Sequence, residues 1–154
     1  MPLLGAHMSV AGGFHLAVDA AAEHGMECVQ IFTKNQRQWK VKPLEPEAIN
    51  LWNEYRNQTG ITEVVSHDSY LINLASPDPA LHNKSIKLFH EELLRCEALA
   101  IKYLVMHPGS HMKEGEQAGL KRVAKALDQL HQQLSGLKAV TYLECTAGQG
   151  TSLG

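Results

Sequence analysis

The stretch VVSHDSYLINLASPDPALHNKSIKLFHEELLRCEALAIKYLVMH, residues 64–107, sets two short apolar runs, Val64 to Asp68 and Tyr103 to His107, either side of a long amphipathic segment at 79–100. A short apolar run, a periodic segment of helical length and a second apolar run make the pattern of strand, crossover helix and parallel strand. The same rhythm extends outward in both directions. Before it lie candidate strands Leu3 to Met8 and Cys28 to Thr33, with candidate helices at 14–24 and 46–58. After it come a helix at 116–134, with Leu120, Val123, Ala124, Leu127, Leu130 and Leu134 at helical spacing, and a strand from Ala139 to Cys145. Unbroken alternation of this kind predicts a parallel α/β sheet with right-handed connections. An open doubly wound sheet and a (β/α)8 barrel both satisfy it.

With 154 residues the chain falls within the roughly 100–200 usual for one domain. Eight βα units need far more, about 250 residues in a full barrel. Four units and a fifth strand are present, and the sequence stops at Gly154 just where the next helix is due, so truncation is expected. The hydrophobic fraction of 44% and charged fraction of 19% exclude disordered and collagenous classes. Nine histidines are more than packing needs. A net charge of -2 means that a nucleic-acid partner requires a local basic patch. Three scattered cysteines, Cys28, Cys96 and Cys145, cannot form a disulfide framework and point to a reducing, cytoplasmic compartment. The first 18 residues lack the basic region of a signal peptide, and no segment is apolar for long enough to span a membrane.

In parallel α/β folds, functional groups gather where strands end. Period-two alternation places Val65 and His67 on one face of the third strand, Tyr103, Val105 and His107 on one face of the fourth, and Val140, Tyr142 and Glu144 on one face of the fifth. Two imidazoles and a carboxylate at three adjacent strand ends form a normal ligand set for catalytic Zn²⁺. The plainer alternative is a set of hydrogen-bonded polar groups at the rim of the core. His111 lies four residues beyond His107, but Pro108 and Gly109 make a helical metal motif untenable and leave it in a loop. His7 ends the first strand, and Gly12-Gly13 follows it at the start of a helix, where backbone amides can hold a phosphate or simply make a turn.

The loop after the second strand carries Lys34, Asn35, Gln36, Arg37, Trp39, Lys40 and Lys42, with no acid from Cys28 to Leu44. Cations and amides around one tryptophan suit contact with a phosphate backbone. A solvated charge run with Trp39 packed beneath it is the equal alternative. Tyr70 and Leu71 directly follow His67-Asp-Ser and are bulky enough to insert into a base stack, or else to pack under their own loop.

The sequence resembles the endonuclease IV family of zinc-dependent apurinic/apyrimidinic (AP) endonucleases, the deoxyribonuclease IV (phage T4-induced) type. The likeness is carried by Gly5-Ala-His-Met-Ser-Val-Ala-Gly-Gly13, Phe32-Thr-Lys-Asn-Gln-Arg-Gln-Trp39, His67-Asp-Ser-Tyr-Leu-Ile-Asn-Leu74, His107-Pro-Gly-Ser-His111 and Glu144-Cys-Thr-Ala-Gly-Gln-Gly150. It implies a (β/α)8 TIM barrel, of which residues 1–154 are the N-terminal portion, four βα units plus a fifth strand. The implied parent is a monomer with three zinc ions that cuts double-stranded DNA 5′ to an abasic site by zinc-activated hydroxide, leaving a 3′-hydroxyl and a 5′-deoxyribose phosphate. His67 and His107 would bind one zinc, and Glu144 would bridge it to a second. Arg37, Tyr70 and Leu71 would enter the duplex, while Gln36, Lys34 and Asn35 contact the strand. His7 and His111 would line the same cleft.

Cys145 and Ser66 stand where the family usually has Asn and Pro, and the family's later Asp-Thr-Cys-His and His-x-Asn-Asp-Ser-Lys runs are missing. The piece alone is therefore expected to be nearly inactive, with unpaired edges at its first and last strands. The alternatives are a metal-dependent sugar isomerase or epimerase of a related barrel and a DNA-lesion binding module without turnover.

Overall fold

The computed structural model describes residues 1–147 and 149–153. Along them strands and helices alternate as β1 (Gly5–His7), α1 (Phe14–Glu23), β2 (Cys28–Phe32), α2 (Pro46–Thr59), β3 (Glu63–His67), α3 (Pro79–Ala98), β4 (Tyr103–Met106), α4 (Glu116–Gln133) and β5 (Val140–Leu143). Helix ends fall within two residues of the expected ones. Pro46 and Pro79 open their helices where a missing N–H costs nothing. Asp78 Oδ1 accepts from the Ala80 N–H at 2.9 Å, and Gly60 closes α2 at a left-handed φ of 75°. The outer strands are shorter than expected. β1 and β5 pair on one side only, so Leu3, Leu4 and Met8 lie outside the first, and Glu144 and Cys145 lie beyond the last.

The sheet is parallel throughout in the order β1-β2-β3-β4-β5. That order separates the two topologies left open by the sequence. A doubly wound sheet reverses direction at a switch point, whereas a barrel adds each strand beside its predecessor. The chain has the barrel order.

Alternate residues of each strand face opposite ways. Val29, Ile31, Val64, Leu104 and Met106 are buried with Ala17, Val18, Trp52, Phe89, Leu93 and Leu130 in the layer between sheet and helices. The opposite face carries Gln30, Phe32, Val65, His67, Tyr103, Val105 and Tyr142, aligned by the pairs Phe32↔His67, Val65↔Tyr103 and Val105↔Tyr142. No helix among the described residues is long and apolar enough to cross a membrane.

Candidate metal centre and its rim

His67 is the last residue of β3, His107 the first after β4 and Glu144 the first after β5. The pleat directs all three to one face, and parallel register sets them side by side. His67 Nε2 lies 3.0 Å and His107 Nε2 lies 3.8 Å from Glu144 Oε2. One ligand atom from each residue falls within 4.8 Å of the others. The two imidazole rings are 5.0 Å apart, and Tyr70 stacks beside His107 with planes 17° apart.

The contacts of His67 bear on what fits there. Its Nδ1 is 2.9 Å from the Asp68 carbonyl oxygen while its Nε2 meets a carboxylate. A neutral imidazole has one N–H and cannot serve two acceptors. A cation between Nε2 and Glu144 would satisfy the second contact. With the Nδ1 proton on the Asp68 carbonyl, the Nε2 lone pair faces the cluster, the arrangement that orients metal-binding histidines. Two imidazole nitrogens and a carboxylate oxygen suit a borderline divalent metal ion. Asp68 itself is buried, and burial pushes its carboxyl well above the usual range, reinforced by Glu92 and Glu144 and opposed by Lys34.

The other residues singled out by sequence divide into two groups around this cluster. His7, Lys34, Asn35, Gln36 and Arg37 line one cleft of about 640 Å³, together with Phe32. The Phe32 ring lies 4.4 Å from His7, 5.8 Å from His67 and 5.6 Å from Tyr70, so it joins this cleft to the metal-type cluster. Arg37 is exposed, and its N–H donates to Asn35 Oδ1 at 2.9 Å. Lys34 Nζ donates to the Asn35 carbonyl at 2.7 Å, and partial burial lowers its pKa. Tyr70 is 63% exposed.

Leu71, in contrast, is half-buried against the core. Trp39 packs on the core and under Lys84, whose Nζ sits 4.3 Å from its ring, which is the packing alternative. His111 Nδ1 accepts from the Gly115 N–H at 3.1 Å at the start of α4, outside the cluster. Gly12 and Gly13 form the turn into α1 with φ of 87° and 146°.

Three residues of consequence were not singled out from sequence. Asn73 pairs with Ser110 like a backbone segment, its Nδ2 donating to the Ser110 carbonyl at 3.1 Å and its Oδ1 accepting from the Ser110 N–H at 2.9 Å. The chain beyond Glu144 crosses the same loop, where the His111 N–H reaches the Thr151 carbonyl at 2.9 Å and the Leu153 N–H reaches the Gly109 carbonyl at 2.8 Å. Glu92 and Arg95 are buried within α3. The signal was available: Glu92 follows Leu88 by four residues and precedes Cys96 by four, which puts a carboxylate on the apolar stripe.

Burial raises the Glu92 carboxyl above its usual range, an effect that Thr33, Lys34 and Arg95 reduce but do not cancel. The folded chain thus holds this proton more tightly than the unfolded one. That stability is complete below the unfolded value, about 4.3, and is lost as pH rises through the folded value. Glu92→Gln removes the titration. The melting temperature of the variant relative to the parent should therefore improve as pH rises above the unfolded value, and a pH-independent difference would show that Glu92 is not the group responsible.

Residues 18–154 match the family of xylose isomerase-like TIM barrels. The probable endonuclease 4 of Citrifermentans bemidjiense is 47% identical over 154 residues, 100% of this chain and 54% of that protein. The probable endonuclease 4 of Chloroflexus aurantiacus (strain ATCC 29366 / DSM 635 / J-10-fl) is 49% identical with the same coverage. The chain spans about half the length of the curated relatives it matches. The crystal structure of endonuclease IV from Thermus thermophilus superposes with a TM-score of 0.86 and 32% identity, covering 99% of this chain and 55% of that one. A D-tagatose 3-epimerase-like protein superposes at 0.73 with 17% identity, covering 98% of this chain and 56% of its own, a likeness of fold alone. With the barrel strand order and a strand-end His/Glu cluster, these matches show that the chain belongs to the xylose isomerase-like TIM barrel family, in its endonuclease IV branch.

Proposed function

We propose that residues 1–154 form the N-terminal portion of a DNA repair endonuclease that hydrolyses the phosphodiester 5′ to abasic sites in double-stranded DNA, leaving a 3′-hydroxyl and a 5′-deoxyribose phosphate. The observation that carries this reading is the convergence of His67, His107 and Glu144 beside the exposed Tyr70 and the cleft of Lys34, Asn35, Gln36 and Arg37. His67 and His107 would hold one zinc ion, and Glu144 would link it to a second of the three expected in the full-length monomer. When bound, zinc supplies Lewis-acid polarisation of the phosphate and a water acidic enough to attack at neutral pH.

The chain's own groups prepare that chemistry. The Asp68 carbonyl fixes the His67 ring with Nε2 toward the cluster. Arg37 and its neighbours meet the phosphate backbone, which positions the duplex. Tyr70, exposed beside the rings of His107 and Phe32, would enter at the gap left by the missing base, where no partner base need be unstacked. Leu71, half-buried next to it, would follow Tyr70 into the lesion. His7 would line the cleft beside Phe32, and His111, bound at the start of α4, would face it from the loop after β4. The free state of Cys28, Cys96 and Cys145 suits the cytoplasm.

Fluorescence anisotropy with a duplex carrying a single abasic site, compared with the intact duplex, tests the reading. The parent chain should prefer the abasic duplex. Tyr70→Ala should weaken abasic binding by about tenfold and intact-duplex binding much less, and Arg37→Ala should weaken both by about tenfold. Equal affinity of the parent for the two duplexes would refute the proposal. On a denaturing gel the 154-residue chain should give almost no incision, since His67, His107 and Glu144 are the one metal-type cluster among the described residues. Chelator-sensitive incision would overturn the expected inactivity.

A further inference from the structure

Arg95 sits on α3, and its side chain leaves the helix toward the loop between β2 and α2. Its Nε donates to the Thr33 carbonyl at 3.0 Å, and Nη2 donates to the same oxygen. Its Nη1 donates to the Lys42 carbonyl at 2.9 Å. Thr33 and Lys42 are the two ends of the basic loop, so one guanidinium closes that loop like a clasp. The Thr33 hydroxyl, 3.4 Å from Nε, donates onward to Glu92 Oε2 at 2.8 Å. Both charged residues are nearly inaccessible, Glu92 at 1% and Arg95 at 8% exposure.

Two further contacts hold the middle of the loop. Ser69 Oγ donates to the Gln36 carbonyl at 2.7 Å, and Trp39 lies under Lys84 of α3. Between these anchors the side chain of Arg37 is exposed. A buried charge costs several kcal/mol unless it is well paired, and an apolar residue would fill this helix position without that cost. Retention of a planar, forked donor is explained by the two carbonyls it spans, a task that the single ammonium of lysine cannot perform.

We propose that Arg95, with Glu92 and Thr33 setting its orientation, is a positioning residue that preforms the 33–42 loop for duplex contact. The part played by DNA rests on the function proposed above, whereas the clasp itself does not. Preforming matters because each rotamer-rich side chain ordered only on binding costs affinity.

Limited trypsinolysis of the 154-residue chain reads the clasp without DNA or metal, because the loop contains Lys34, Arg37 and Lys40 as cleavage points, whereas Lys42 is shielded by the following Pro43. In Arg95→Lys the rate of cleavage within 33–42 should rise about tenfold, while cleavage at Lys121 and Lys125 in α4 stays at the parental rate. Abasic-duplex affinity should fall about tenfold with unchanged zinc uptake. Parental loop cleavage in Arg95→Lys would overturn the proposal. Should that variant fail to fold, Thr33→Val removes only the hydroxyl and should raise loop cleavage about threefold; no rise there would overturn it equally. Raised cleavage with undiminished duplex affinity would uphold the clasp and sink the reading of this loop as a DNA contact.

Discussion

Substituting His67 with alanine is expected to lower the zinc affinity of the chain by more than about 100-fold, beyond the 10–100-fold that a supporting partner of a ligand commands. His67 is the most buried member of the cluster at 5% exposure, and its ring is held at Nδ1 by the Asp68 carbonyl. It therefore offers a donor already turned toward the site. Removing it leaves one imidazole and a half-exposed carboxylate, which bind a divalent ion little better than isolated side chains. Glu144→Gln should act in the same direction, because an amide oxygen lacks the charge that makes the carboxylate a ligand.

Equilibrium dialysis followed by elemental analysis measures the effect directly. A second readout is thermal. A metal bound only by the folded state stabilises it, by about 2.7 kcal/mol when free zinc is 100 times its dissociation constant. Adding a chelator should therefore lower the melting temperature of the zinc-loaded parent and leave that of His67→Ala unmoved. Parental zinc content in His67→Ala would show that the three residues are a hydrogen-bonded rim and not a metal centre.

The largest loss of stability is expected from Trp52→Ala. The indole is completely buried, its Nε1–H donates to the Leu99 carbonyl at 2.8 Å, and Phe14 meets it edge-on at 6.3 Å. It ties α2 to the end of α3 and to α1 at one point. Truncating a buried tryptophan to alanine costs about 3–5 kcal/mol, a large part of the roughly 5–15 kcal/mol that stabilises a typical domain. For a chain of this size that corresponds to a fall in melting temperature of roughly 10–15 °C. Arg56 Nη1 also reaches the Leu99 carbonyl, at 3.3 Å, so the acceptor keeps a partner and the loss is mainly one of packing. A fall of less than about 3 °C by circular dichroism would mean that the helices close around the cavity.

The sequence was most informative where one residue decides one thing. Alternation along β3 and β4 placed His67 and His107 on a common face, and the same arithmetic carried past β5 to Glu144. Helix limits expected from periodicity fell close to the observed ones, which Pro46, Pro79 and Gly60 set through local backbone constraints. Strand order was not legible, because periodicity sets which face a residue takes but not which strand lies next to which.

Arg95 was hidden for a related reason. Its partners, Thr33 and Lys42, lie more than fifty residues away and are recognised through backbone carbonyls, which carry no sequence signature. The position of Trp39 depended on Lys84 in the same way. Tyr70 and Leu71, adjacent and alike in bulk, could be told apart only by the turn that exposes the first and tucks the second against the core.

The strand order also bears on how the chain comes to be folded. Each strand pairs with the one synthesised just before it, and the helix between them covers the face they share. No unit has to wait for a distant segment to emerge from the ribosome before its backbone finds a partner. Assembly can keep pace with translation, one βα unit docking on the last, and the stretch most open to misassociation at any moment is the newest strand.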